Sequence, residues 1–423
     1  MPSNLTALSD HDLAILRTLA DWQGQAVETA ANKEKIAAWK RHDAGLPGSR
    51  VMVIAETFYT TDATRLQNDD LQCVDDWARG LEYGMRLKKM EVETLRDDHF
   101  VQPWVEFAPH MWGSDYGVPS GVHRESGANA LSYQFRAPLV ALDDADFARL
   151  HPREFFMNGE AEERERARLE AIFAGILPVR RRLSGWQQSM PLTSMALNFL
   201  GLDNFLLLLY DNPDGVHRLM RFLRDDYLTF IRFTEEHHLL ELNNEGDYVG
   251  SGCMGCSDLL PAADFTGEVR SKDLWYFCES QESVSISPAQ YGEFVFPYLS
   301  EIAVKFGRVY YGCCEGVHPI WPYISTLPNL QRVSISPWAD EALMGKHCRE
   351  RGVVYSRKPS PNLFMGEQFD EAAMRAHLQY TVDCTPHCRL EFILRDVYTT
   401  NNDPQRFIGF VELAREEGAK HIV

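Results

Sequence analysis

Apolar positions follow two different rhythms along the chain. Residues 7–45 carry Leu13, Ile15, Leu16 and Leu19 near helical spacing, and residues 70–96 place Leu71, Val74, Trp77, Leu81 and Met85 on one helical face. Between them the patch Arg50-Val51-Met52-Val53-Ile54 reads as a short strand. Residues 1–95 are therefore expected to form a mainly helical N-terminal extension. From His99 onward, apolar runs alternate with amphipathic helices. Asn212-Pro213-Asp214 opens one of them, because Asn caps a helix well and Pro suits its first turn. Val216, Leu219, Leu223, Tyr227 and Phe230 then recur as one buried stripe.

The C-terminal third is the most regular. Strands are expected at 308–312, 330–335, 352–355 and 389–394, with helices near 316–327, from 338, near 369–383 and near 404–417. Strand and helix alternate roughly every 20 to 35 residues, which argues for a parallel sheet with helical crossovers. The expected architecture is a TIM-like (β/α)8 barrel over residues 96–423, following the extension at 1–95. An open doubly wound sheet is the alternative.

Composition narrows the field. Of 423 residues, 45% are apolar and 24% charged, as in ordinary globular proteins. The net charge of −19 repels phosphate backbones and anionic lipid, so nucleic acid and membrane are poor partners. No segment approaches the roughly 18 apolar residues of a membrane span. The N-terminal residues lack a basic region followed by an apolar one, so no secretion signal is read there. Nine cysteines in such a chain suggest reduced thiols, and the expected compartment is cytoplasmic.

Candidate chemistry concentrates at strand ends. Arg308-Val309-Tyr310-Tyr311-Gly312-Cys313-Cys314-Glu315-Gly316-Val317-His318 ends a strand in two thiols, a carboxylate and an imidazole. In a βα-repeat protein the C-terminal end of a strand is where chemistry is done, although paired cysteines also serve as small core hydrophobes. Glu391 lies inside the last apolar strand, where a carboxylate needs a partner or a metal, and Arg395-Asp396 closes that strand. Asn244, after the mostly apolar 239–242, and Gln281 with Ser285, after the apolar 274–277, suit either a polar substrate or a plain turn. Lys358 follows another strand. Gly250-x-Gly252-x-x-Gly255 matches a dinucleotide fingerprint in spacing only, because its polar flanks suit a flexible loop. Cys253-x-x-Cys256 lacks the second pair of a structural zinc site.

Tyr310-Tyr311-Gly312-Cys313-Cys314-Glu315, Pro328-Asn329-Leu330, Ser334-Ile335-Ser336-Pro337-Trp338, Arg357-Lys358-Pro359, Glu391-Phe392-Ile393-Leu394-Arg395-Asp396 and Pro404-Gln405-Arg406 resemble a branch of the uroporphyrinogen decarboxylase-like superfamily. The resemblance spans roughly residues 97–417. It implies a TIM-like barrel and either porphyrinogen decarboxylation or methyl exchange with a separate corrinoid protein. The Arg-rich N-terminal segment of the decarboxylases is absent. The His-x-Cys pair of the zinc-dependent methyltransferases is replaced by Tyr311-Gly312-Cys313, and their distant Cys is missing near Arg395 to Tyr398.

On this resemblance the expected function is a methyltransferase (a demethylase of a small O-, N- or S-methyl compound) that passes the methyl group to a corrinoid on a partner protein. The residues assigned to catalysis are Cys313, Cys314, Glu315, Glu391 and Asp396. Those assigned to substrate binding are Asn244, Gln281, Ser285, Tyr311 and Lys358. Zinc is the candidate metal, with Cys313, Cys314, His318 and Glu391 as ligands. A homodimer is left open. The alternatives are a lyase or decarboxylase, gripping a small carboxylic acid through Arg357, Lys358 or Arg395, and a non-catalytic small-molecule binding protein.

Overall fold

The computed structural model describes residues 8–62, 66–119, 121–124, 133–183 and 191–422. Two helices open the chain, α1 (Asp10–Glu28) and α2 (Ala30–Asp43). Ser9 Oγ accepts the Asp12 N–H to cap the first. Thr29 sits in extended conformation between them, and its hydroxyl caps the second by accepting from Asn32 N–H. A third helix, α3 (Asp76–Met90), continues into a π turn over Glu91–Leu95. The long helix expected from residue 212 is α4 (Pro213–Glu236), and it buries Val216, Leu219, Leu223 and Tyr227. Each fully buried side chain of this size contributes about 1.5–3 kcal/mol through desolvation.

Six strands form one parallel sheet: β1 (Met52–Ala55), β4 (Trp275–Cys278), β5 (Arg308–Tyr311), β6 (Leu330–Ile335), β7 (Val354–Arg357) and β8 (Arg389–Leu394). Strands β2 (Glu245–Gly250) and β3 (Cys253–Cys256) form an antiparallel hairpin outside this sheet. The sheet order is β1-β8-β7-β6-β5-β4. β1 pairs with β8 in the register Met52 to Glu391 and Ile54 to Ile393. The segment read as an N-terminal extension thus supplies an edge strand, and the sheet draws on both sides of residue 95.

The expected eight-stranded ring is not what the described residues show. They show this six-stranded ladder and a separate parallel pair, Val105–Phe107 with Val179–Arg181, and no ladder joins the two into a closed ring. At the β1 edge, Asp98 N–H donates to Val53 O, the Asp98 carboxylate accepts from Val53 N–H (2.7 Å), and Asp97 accepts from Ala55 N–H (2.8 Å). At the β4 edge, the Asn243 amide imitates a strand. Its Oδ1 accepts from Trp275 N–H (2.8 Å) and its Nδ2 donates to Trp275 O (3.0 Å). Both edges therefore have satisfied backbone without a regular neighbour.

Alternation along the strands gives the sheet two buried faces. Val53, Tyr276, Tyr311, Val333, Tyr355, Phe392 and Leu394 join the helix-covered core. Met52, Ile54, Trp275, Phe277, Tyr310 and Ile393 join a second core, closed by Val249, Cys253 and Met254 of the hairpin and by Ala38 and Trp39 of α2. Parallel strands covered on both faces read as continuous apolar runs, which is why they were visible in the sequence. Among the described residues no single helix is long and apolar enough to cross a membrane. The pair Leu192–Leu200 and Leu202–Asp211 reaches that length only across a 94° bend.

Candidate active site

The inner face carries charge at two depths. The deeper group lies on the middle of the strands. Glu391 of β8 is fully buried and meets Arg332 Nη2 of β6 at 3.0 Å, His42 Nε2 at 3.3 Å and the Cys253 thiol at 3.4 Å. Asp43, at the end of α2, binds Arg308 Nη2 at 3.0 Å and lies 3.7 Å from Arg332 Nη2. Burial alone would raise the Glu391 carboxyl, but Arg332, His42 and Lys358 override it and hold the group down to about 2. Glu391 therefore remains an anion, and the network joins α2 to the floor of the sheet.

The shallower group sits where the strands end. After β5, Gly312 takes φ +99°, a left-handed conformation that turns the chain sharply. The turn is fixed from every side. Ser251 Oγ donates to Gly312 O, Ser334 Oγ to Cys313 O and Ser336 Oγ to Glu315 O, at 2.9–3.1 Å. Glu315 is buried. Its carboxylate accepts from Cys313 N–H (2.8 Å) and from Ser280 N–H (3.0 Å), stitching the β5 turn to the loop after β4.

In this rigid turn the Cys313 and Cys314 sulfurs stand 3.7 Å apart, Cys313 half-buried and Cys314 exposed. Their mutual hydrogen bond lowers the Cys314 thiol below its usual acidity range and raises that of Cys313, which burial raises further. Cys314 opens onto a cleft of about 750 Å³ lined by Gln281, Glu282, Val284, Glu315 and Trp338.

Arg395 follows β8 at the same level. It is 5% exposed, and its Nε lies 3.5 Å from Glu56 Oε2 and 3.4 Å from Asp396 Oδ1. Nε, Nη1 and Glu56 Oε2 meet in ion-pair contact or lie close by without completing a hydrogen bond. A buried guanidinium nitrogen such as Nη1 that completes no hydrogen bond is costly, and an anion is a group that satisfies it. Burial pushes the Glu56 carboxyl up, Arg395 opposes this, and Asp396 adds to it. Asp396 holds its position with φ +59°. Arg395 also exerts an electrostatic pull on both Cys313 and Cys314, so this group and the thiols share one neighbourhood.

Beneath them, Lys358 Nζ donates to Tyr310 Oη (2.6 Å) and Ser356 Oγ (2.8 Å). Burial lowers this amine to about 7. It is enclosed between the deep network and the thiol turn, not on a solvated face.

The residues singled out in the sequence thus separate. Cys313, Cys314, Glu315 and Asp396 gather at the strand ends, with Lys358 below. Gln281 lines the cleft, and Ser285 is exposed beyond it. Tyr311 points to the other face of the sheet, its hydroxyl 2.6 Å from Ser280 Oγ and 2.9 Å from Tyr291 Oη. Asn244 Nδ2 is spent on Ser257 O and Leu260 O, both at 2.8 Å.

The four residues assigned to zinc do not form one ligand set. Glu391 is engaged in the deep network, and His318 Nδ1 accepts from Asp340 N–H at 3.2 Å. Among the described residues no three His, Cys, Asp or Glu side chains are grouped to hold a metal. The segment Gly250–Cys256 is a buried hairpin and not a flexible loop. A Cβ on Gly250 would lie 2.3 Å from the Phe277 ring, and one on Gly252 would lie 2.5 Å from Ile393 Cγ2. These glycines permit close packing, and Cys253 serves the Glu391 network. Arg357, a carboxylate-binding alternative, is buried on the opposite face against Glu341 (2.5 Å). Glu56 is not legible from the sequence, since a lone Glu after a short strand carries no local signal.

No protein-family model matches the chain, and no curated protein matches it by sequence. Among solved structures it aligns with a methyltransferase from Methanosarcina mazei, with a TM-score of 0.46 and 9% identity, over 90% of this chain and 98% of that one.

Proposed function

We propose that the chain is a methyltransferase that removes a methyl group from a small, negatively charged O-, N- or S-methyl compound and delivers it to a corrinoid carried by a partner protein. The observation that carries the anionic substrate is Arg395, buried with Nη1 in no hydrogen bond beside a Glu56 whose carboxyl burial pushes up. The methyl-transfer half of the reading rests on the resemblance of the strand-end motifs.

In this reading Arg395 binds the substrate's anionic group in a charge-assisted, two-nitrogen contact. Glu56 holds the proton that the departing oxygen, nitrogen or sulfur needs, because loss of a methyl group leaves that atom with excess charge. Asp396 fixes the guanidinium, and the thiol turn walls the methyl side. A corrinoid would supply a nucleophilic cobalt to accept the methyl group. Zinc is not part of the proposal, since its four assigned ligands do not converge.

The test mixes the chain anaerobically with a reduced corrinoid protein and methylated carboxylic acids. A methyl-cobalt absorption spectrum supports the reading, and its absence across O-, N- and S-methyl acids overturns it. The same Arg395, together with the near-neutral Lys358 amine, favours a second reading: a lyase or decarboxylase acting on a small carboxylic acid. Release of carbon dioxide without any corrinoid would select that one.

A further inference from the structure

Adjacent residues in an extended chain point to opposite sides, so two neighbouring cysteines ordinarily keep their sulfurs apart. Here the left-handed Gly312 and the hydrogen bonds on the carbonyls of Gly312, Cys313 and Glu315 hold a bend in which the sulfurs face each other at 3.7 Å. The two thiols are also unequal. Cys314 is exposed on the cleft, while Cys313 is half-buried against the inner core. The remaining cysteines are buried, apart from the half-buried Cys384.

We propose that Cys313 and Cys314 form a two-thiol modification site that takes up a small-molecule disulfide and closes as a vicinal disulfide. The Cys314 thiolate attacks one sulfur of the disulfide RSSR, forming a mixed disulfide and expelling one thiolate RS⁻. Cys313 then gives up its proton to that thiolate or to water and attacks the Cys314 sulfur, expelling the second RS⁻. Two protein thiols are oxidised and one RSSR is reduced to two RSH, so atoms and electrons balance.

An accessible thiol with a resolving partner 3.7 Å away is the arrangement that such exchange requires. Closure brings the sulfurs from 3.7 Å to about 2.05 Å. Neighbouring Cα atoms lie about 3.8 Å apart, below the separation that disulfides usually span, so the ring is strained and easily reduced. The modification is therefore reversible. It needs neither corrinoid nor methylated substrate, and stands apart from the function proposed above.

The experiment treats the native full-length protein with 4,4′-dithiodipyridine, blocks free thiols and maps the peptides by mass. The expected wild-type product is a peptide carrying both cysteines about 2 Da lighter than its reduced form, without adduct, and restored by dithiothreitol. Cys313→Ser should stop at the pyridyl adduct on Cys314, and Cys314→Ser should leave Cys313 unmodified. Stable adducts on the wild-type pair would overturn the proposal. So would a failure of the native pair to react under conditions in which the urea-unfolded chain does.

Discussion

Replacing Glu391 by Gln separates a framework residue from a catalytic one. The carboxylate is fully buried and meets Arg332 at 3.0 Å, His42 at 3.3 Å and Cys253 at 3.4 Å. A carboxyl held at about 2 in place of the usual 4.5 corresponds to about 3 kcal/mol in favour of the charged form, at about 1.4 kcal/mol per tenfold change. Removing one partner of a buried pair independently costs about 3–5 kcal/mol, because the other charge is stranded. Arg332 would be left with Asp43 at 3.7 Å. Glu391→Gln should therefore lower the unfolding free energy at pH 7 by about 3 kcal/mol, read by urea titration.

The folded carboxyl is more acidic than the unfolded one. Its contribution is complete above about pH 4.5 and drains away as pH falls toward 2, so the gap between wild type and variant should close over that window. Replacing Arg332 and Glu391 together by Met should recover most of the loss. A difference below about 1 kcal/mol, or one indifferent to pH, would refute the network. A stable variant with no turnover would place Glu391 in the chemistry instead.

Other perturbations probe the remaining parts. Gly250→Ala drives a methyl to within 2.3 Å of Phe277 at a left-handed position, so a loss of about 1–3 kcal/mol is expected in urea unfolding. Arg395→Gln should weaken binding of an anionic substrate by about 10- to 100-fold, the worth of a charged hydrogen bond, measured by calorimetry. The folded Lys358 amine, near 7 against 10.5 when exposed, binds fewer protons than the unfolded one between those values. Wild-type stability should thus rise with pH across that window, and Lys358→Met should flatten the rise.

The amino-acid pattern placed strands at 308–312, 330–335, 352–355 and 389–394, within two residues of the observed Arg308–Tyr311, Leu330–Ile335, Val354–Arg357 and Arg389–Leu394, because burial on both faces leaves uninterrupted apolar runs. It also marked α4 through Asn212 and Pro213. It could not assign Met52–Ala55 to β8, since pairing across more than three hundred residues leaves no local trace. Nor could it show Asp97, Asp98 and Asn243 standing in for strands, which depends on where their side chains point. The thiols were legible because a glycine and two cysteines end a strand. Glu391 was legible as an oddity but not in its depth. Alternation tells which face a residue takes, and only register against Met52 and Ser356 places it mid-strand. Glu56 and the Arg395 nitrogens that complete no hydrogen bond emerge only from the assembled packing.

The claim that Arg395 presents a methylated anion for transfer at the strand ends is tested most directly by single-turnover kinetics with ¹³C-methyl acids and a reduced corrinoid protein. Wild type should move the label to cobalt, Arg395→Lys should do so partially, and Arg395→Gln should lose the reaction while keeping its fold by circular dichroism. Equal rates in wild type and Arg395→Gln, or label that never leaves the acid, would contradict it.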